Sequence, residues 1–428
     1  MDNLKREKIA EGAHFNSVTD PRYKFNRITV GFFMPLDEDR ASLYALVPRL
    51  LHRTNRDYPE ARDFNNFLAS LYNAKADFEV AALGDAQFLG VSLSYMDDSY
   101  ALHGEKITEA AAKTVFDCVF NPALEDGEFA VSSVELGKRE QTEEIEAEIN
   151  DKRLYAANQA KRIIFEGEPA CVNPLGVVGK TREITPEALF EAYKELMRSA
   201  VVEIVCVGCN DFADALNIAR EKFSAPLLLR KDIVECESAY SPLKRETAEK
   251  TERLALNQSK MVLGFKTDCE NRAALSMMSE LYGGTISSKL FLNVRERLSL
   301  CYYCWSQVNR DKGVMYVSCG VEEENIEKAK AEILAQLENV KNGDFTDEEM
   351  TYALLSKQNK TKTVPDSPGS LTWWYISRIY QREINPPEEY LKIFDGVSRE
   401  DIIEAARSMK PDTFYVLSGI PEAGQEEK

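Results

Sequence analysis

The chain has 428 residues, 29% of them charged, and Asp plus Glu outnumber Lys plus Arg by 71 to 53 for a formal net charge of −18. That length suits roughly two to four domains, and the acidic balance argues against nucleic acid, whose phosphates need a basic face to displace counterions. Only three histidines occur, His14, His52 and His103, and no two are spaced as a helical metal pair.

The first eight residues are charged and lack the apolar stretch of a signal peptide. No run approaches the roughly 20 apolar residues of a membrane span. Nine cysteines are scattered along the chain, unlike the dense framework of a small secreted domain. A reduced, cytoplasmic protein without a membrane partner is expected.

In chain order, Ile28-Thr-Val-Gly-Phe-Phe-Met34 reads as a β-branched strand leading to Asp37-Glu-Asp-Arg-Ala-Ser-Leu43 and a helix over 43–54. Helices follow over 131–165, with an acidic run at Glu140, Glu143, Glu144, Glu146 and Glu148 whose plainer reading is a solvated face. Asn173-Pro-Leu-Gly176 reads as a turn. Thr185-Pro-Glu-Ala-Leu-Phe-Glu-Ala192 then reads as a capped helix with acids near its positive end. A strand ending in glycine, Val201 to Gly208, closes this half.

The same order then recurs. Met261-Val-Leu-Gly-Phe-Lys266 and the following 268–275 repeat the first strand and helix start, with Gly264 matching Gly31 and Arg272 matching Arg40 at offsets of 233 and 232. Gly283 and Gly284 read as a turn before a helix over 289–298, and helices are expected over 325–340 and 347–358. Ser398-Arg-Glu-Asp-Ile-Ile-Glu-Ala405 repeats the capped helix of Thr185, and Thr413 to Gly419 repeats the closing strand.

The expected fold is α+β: two homologous domains, 1–225 and 254–428, each a mainly antiparallel sheet packed with helices. The charged stretch 241–252 lacks an apolar stripe, so 226–253 reads as a linker.

No phosphate-cradling loop, dinucleotide fingerprint or serine-hydrolase elbow is present. Cys206-Val-Gly-Cys209 and Cys301-Tyr-Tyr-Cys304 are formally a four-thiolate set, but both pairs lie in strand-like runs. Residues three apart on a strand face opposite sides, so buried, inert cysteines are expected. Trp373 and Trp374 read as core or domain-contact aromatics.

The duplicated layout resembles the pitrilysin/insulysin-type zinc peptidases, which include the mitochondrial processing peptidase and its bacterial relatives. The best-matched parts are Asn173–Gly176 with 181–183, and Leu281-Tyr-Gly-Gly-Thr-Ile-Ser-Ser-Lys-Leu-Phe-Leu-Asn-Val-Arg-Glu-Arg-Leu-Ser-Leu-Cys-Tyr302. The resemblance implies a zinc motif H-x-x-E-H on the first helix, two histidines binding the ion and the glutamate acting as general base. Here those positions fall on Ala45, Pro48 and Arg49: a methyl group, a ring without a carboxylate, and a fixed cation.

His52 has no partner histidine one turn away and reads as an ordinary, partly buried side chain. Glu143 and Glu144 stand where the resemblance places a distal zinc glutamate, and Arg49 is expected to face them in the metal's stead.

The resemblance further implies an Arg and a Tyr seven residues apart in the second half that reach the substrate carbonyl, matched by Arg295 and Tyr302. A surface ion pair and a half-buried strand tyrosine are the plainer alternatives.

The expectation is a subunit without its own catalytic residues, metal or cofactor. It would bind peptide or unfolded polypeptide and pair with a zinc-bearing homologous subunit. An independent peptide-binding or scaffold protein is the alternative, and an enzyme using acids from 140–148 a third, for which no nucleophile–base pair is found.

Overall fold

The computed structural model describes residues 4–224 and 230–420; residues 226–229 of the expected linker lie outside the described residues. Eleven strands make two mixed, mostly antiparallel sheets among the described residues. The first sheet contains β1 (Lys5–Ala10), β2 (Ala13–Thr19), β3 (Phe25–Pro35), β4 (Lys75–Leu83), β5 (Ala86–Met96) and β6 (Val201–Gly208). The second contains β7 (Ala248–Ala255), β8 (Ser259–Lys266), β9 (Cys301–Asn309), β10 (Val314–Val321) and β11 (Lys410–Ile420).

The spatial orders are β1-β2-β6-β3-β5-β4 and β7-β11-β8-β10-β9. With the extra edge strand β1 set aside, the two match strand for strand: β2 with β7, β6 with β11, β3 with β8, β5 with β10, β4 with β9. The pairing sense matches too. β2–β6 and β7–β11 are parallel, and the remaining neighbours are antiparallel. The repeated helix starts occupy equivalent places, Thr185 capping Pro186–Ser199 and Ser398 capping Arg399–Ser408 through side-chain bonds to backbone N–H groups.

Two compact units are formed, and neither is a continuous stretch of chain. One comprises Met1–Glu146, Val172–Glu237 and Val364–Pro386; the other Ala147–Cys171, Ser238–Thr363 and Pro387–Lys428. The contiguous division at 225 and 254 therefore needs correcting, because each sheet takes a helix from the opposite half of the sequence.

In the first unit, helix Pro368–Tyr380 lays Leu371, Tyr375 and Ile376 against Phe33, Phe88 and Val205. In the second, helix Lys152–Ile164 lays Ala156, Ala160 and Ile164 against Val262, Tyr415 and Leu417. The repeated glycines fit these packings. A Cβ on Gly264 would stand 2.5 Å from Ile164 Cδ1, and one on Gly31 would strike the ring of Phe88. The other face of the first sheet carries helices Ala41–Leu51, Ile107–Phe120 and Pro186–Ser199, which share its main apolar core.

Two further expectations change. Most of β7 lies in the stretch read as linker: it is an edge strand held only by β11, so Glu249, Lys250 and Arg253 stay in water and no apolar alternation marks it. The helix expected over 289–298 is present, with π-helical pitch over Phe291–Arg297, whereas the glycines read as a turn before it end a π-helical turn of their own, Glu280–Gly284. Gly283 permits that turn to lie on β9, since a Cβ there would be 2.7 Å from the Ser306 nitrogen. No helix among the described residues is long and apolar enough to cross a membrane.

Candidate functional site

Helix Ala41–Leu51 carries the positions where the zinc motif would stand. Its sequence, ASLYALVPRLL, is apolar almost all round, and every residue but Leu43 is buried. Ala45 is wholly enclosed in the core. Pro48 sits in the last turn and removes one helical N–H, and the helix ends three residues later, with the His52 nitrogen bonded 3.2 Å to the Pro48 carbonyl.

Arg49 is the one charged side chain of this helix, and it is 5% exposed. Its guanidinium forms an ion pair with Glu144, lies 3.9 Å from Glu140, and stacks 4.7 Å over the ring of Phe78 on β4. Arg53 closes the cluster with two bonds to Glu140, of 3.0 and 2.5 Å.

Glu140 and Glu144 are one turn apart on helix Val131–Ala147 and therefore share a face. Gly137 begins that face: a Cβ there would lie 2.7 Å from Leu50 Cδ1 and 2.8 Å from Leu46 Cδ1, so its absence lets the two helices approach. Buried Gln141 fixes the contact by donating to the carbonyls of Ser42, at 2.8 Å, and Leu175, at 3.0 Å. The Leu175 carbonyl belongs to the Asn173–Gly176 turn, which the Asn173 side chain holds through the Leu175 nitrogen at 2.9 Å.

Glu143, matched to the distal ligand alongside Glu144, points elsewhere. It is solvent-exposed, with its nearest cation Arg139 at 3.9 Å. A one-residue step on a helix turns a side chain by about 100°, so only Glu144 of the two can meet Arg49.

The residues present do not fit zinc. The two histidine positions hold a buried methyl group and a guanidinium, the general-base position holds proline, and the surviving carboxylates already face cations. No chemical step is derived through a metal here. The arrangement keeps the electrostatics of the site, a cation against two acids, without an ion that could polarise water.

His52 packs on Phe78 with ring centroids 4.8 Å apart, and burial, reinforced by the charge of Arg53, pushes its pKa down to about 4. It is a neutral packing residue bordering an open groove of about 710 Å³ that Arg53, Asn65, Lys75 and Asp77 also line.

In the second unit, Arg295 lies in the π-helical turn Phe291–Arg297, 42% exposed along its side chain, stacked 4.7 Å over Phe291 and 3.7 Å from Glu296. Tyr302 is 62% exposed on β9, and a hydrogen bond to Glu322 with that carboxylate's charge raises its pKa. Neither side chain is spent in a core: Arg295 is partly open to solvent, and Tyr302 lies at the surface with its O–H donated to Glu322.

Glu140, Arg53 and Phe78 are parts of the first cluster that were not singled out as site residues. The four-residue spacing of Glu140 and Glu144 was the available signal for the first. Nothing local pointed to Phe78, which reaches Arg49 from a separate strand.

Residues 183–356 match the sequence profile described as the peptidase M16 inactive domain. A probable inactive metalloprotease, YmfF of Bacillus subtilis, is 27% identical over 403 residues, covering 92% of this chain and 94% of that protein. A conserved protein from Enterococcus faecalis V583 superposes with a TM-score of 0.88 at 24% identity, over 98% of this chain and 100% of that one. A structure from Pseudomonas fluorescens described as a peptidase M16 inactive domain superposes at 0.78 with 17% identity, over 99% and 100% of the two chains.

Proposed function

We propose, on the premise that this chain belongs to the inactive M16 peptidase-like family, that it is a non-catalytic subunit that holds peptide for a zinc-bearing homologue. The observation that carries this reading is the unequal fate of the two half-sites. The zinc positions are built over into an ion-pair cluster around the buried Arg49, whereas Arg295 and Tyr302 stay exposed, the phenol hydrogen-bonded at the surface to Glu322.

A guanidinium and a phenol O–H suit a peptide carbonyl and the oxyanion that develops from it. In such a complex the partner's metal would activate water, and Arg295 and Tyr302 would hold or polarise the bond to be cut.

The test is a pull-down from native extract followed by peptide hydrolysis with and without the recovered partner. The expected result is a homologue containing H-x-x-E-H, and zinc-dependent hydrolysis that falls about 10-fold or more when Tyr302→Phe and Arg295→Ala are combined. Stoichiometric zinc in this chain alone, or peptide cleavage by it that EDTA abolishes, would overturn the reading. Peptide binding with no homologue recovered would replace it with that of an independent scaffold.

A further inference from the structure

Cys301 and Cys304 on β9 and Cys319 on β10 are all buried, and their three sulfur atoms lie within 4.8 Å of one another. An ideal strand would not allow this, since residues 301 and 304 should face opposite sides. The register explains it. Cys319 pairs with Cys304 and Gly320 with Tyr303, but Val321 pairs with Cys301, leaving Tyr302 as an extra residue. That β-bulge restores Cys301 to the face of Cys304. The expectation that this C-x-x-C pair could not converge is thereby corrected.

We propose that Cys301, Cys304 and Cys319 form a three-thiolate site for the cuprous ion. Thiolate sulfur is a soft donor that selects Cu(I), Zn(II) or iron–sulfur centres. Three sulfurs each about 2.3 Å from a central ion stand about 4 Å apart, a spacing this cluster reaches without moving the strands.

The number of donors favours copper. Among the described residues no carboxylate or imidazole joins the group, whereas structural zinc takes four ligands. Cu(I), a monovalent d¹⁰ ion, is satisfied by three thiolates. The assembly would carry a charge of −2, opposed by Arg295, whose field reaches Cys301, and Lys260, whose field reaches Cys319.

On loading, three S–Cu bonds form, the thiol protons pass to solvent and copper remains Cu(I), so no oxidant is required. Because Cys301 immediately precedes the bulged Tyr302, the bound ion would also pin the backbone that presents that phenol.

The test is an anaerobic titration of the full chain, its cysteines reduced and the reductant removed, with Cu(I), using bicinchoninate as the competing chromophore. X-ray absorption would then count the sulfurs. One copper per chain with three sulfur neighbours is expected, and Cys304→Ser with Cys319→Ser should lower affinity by about 100-fold or more. Cys118→Ser, a buried cysteine elsewhere, should leave it unchanged. Circular dichroism checks the fold of each variant. If the double variant does not fold, Cys301→Ser decides, with the same loss expected. Equal copper affinity in wild-type and cluster variants, or displacement of the copper by equimolar Zn(II), would overturn the proposal.

Discussion

The ion pair between Arg49 and Glu144 should break asymmetrically. Arg49 is buried, its side chain 6% exposed, whereas Glu144 is 51% exposed and Glu140 29%. Replacing both acids with Ala strands a guanidinium in the core. Removing one partner of a buried pair costs about 3–5 kcal/mol, and the Phe78 ring, still 4.7 Å away, offsets about 1 of that. Loss of the partly exposed Arg53–Glu140 pair adds about 0.5. The net destabilisation of Glu140→Ala/Glu144→Ala is therefore about 2.5–4.5 kcal/mol.

Arg49→Met runs the other way. The methionine refills the volume of the aliphatic stem, Glu144 returns to water, and Glu140 keeps Arg53. What is lost is a pair exposed on one side, worth about 0.5 kcal/mol, and the stacking on Phe78, worth about 0.5–1. Relief of the buried charge offsets part of this, so the net is about 1 kcal/mol or less.

Urea unfolding followed by circular dichroism gives both values, and hydrogen exchange of peptides over Ala41–Leu51 locates the loss in this unit. If Arg49→Met proves as costly as the double acid variant, Arg49 is not a buried cation dependent on those acids, and the account of the rebuilt zinc site is wrong.

Two more predictions concern the same unit. Glu203 on β6 is buried; burial works to raise its pKa, but bonds from His14, Arg6 and Asn16 outweigh it and hold the carboxyl below its ordinary 4.5. Its contribution should be complete above pH about 5 and be lost as pH falls through the depressed value, because the unfolded chain then binds the proton first. Acid unfolding curves should show that slope in the wild type and flatten in Glu203→Gln, and an unchanged slope would refute the assignment. Gly176 has φ +76°, and a Cβ there would lie 2.5 Å from Ser42 Cα and nitrogen, so Gly176→Ala should cost about 2–4 kcal/mol. Gly179→Ala, which meets open space, should be neutral or slightly stabilising, and equal melting temperatures for the two variants would refute the argument.

Much of the fold was legible because a duplication writes its signals twice. The strand runs around Gly31 and Gly264, and the caps Thr185 and Ser398, are local features whose side-chain patterns need no distant partner. The loss of the zinc motif was equally local: whatever faces them, alanine and proline carry no ligand atom and arginine carries a fixed charge. The edge strand β7 was missed for the opposite reason, since its pairing with β11 comes from hydrogen bonds across 160 or more residues and leaves most of its charged side chains in water.

The sequence by itself thus determined the fold class, the repeat and the chemical incapacity of Ala45, Pro48 and Arg49. Only the tertiary structure decided that two helices serve the sheet of the opposite half, that Arg49 meets Glu144 and not Glu143, and that three cysteines converge. Each of these depends on a relation the linear order does not encode. Helix exchange follows from the apolar sheet faces, Phe33, Phe88 and Val205 in one unit and Val262, Tyr415 and Leu417 in the other, which each need a helix to cover them. Acid selection follows from the 100° turn per helical residue. Thiol convergence follows from a single bulged residue, Tyr302, which exists only once β9 has paired with β10.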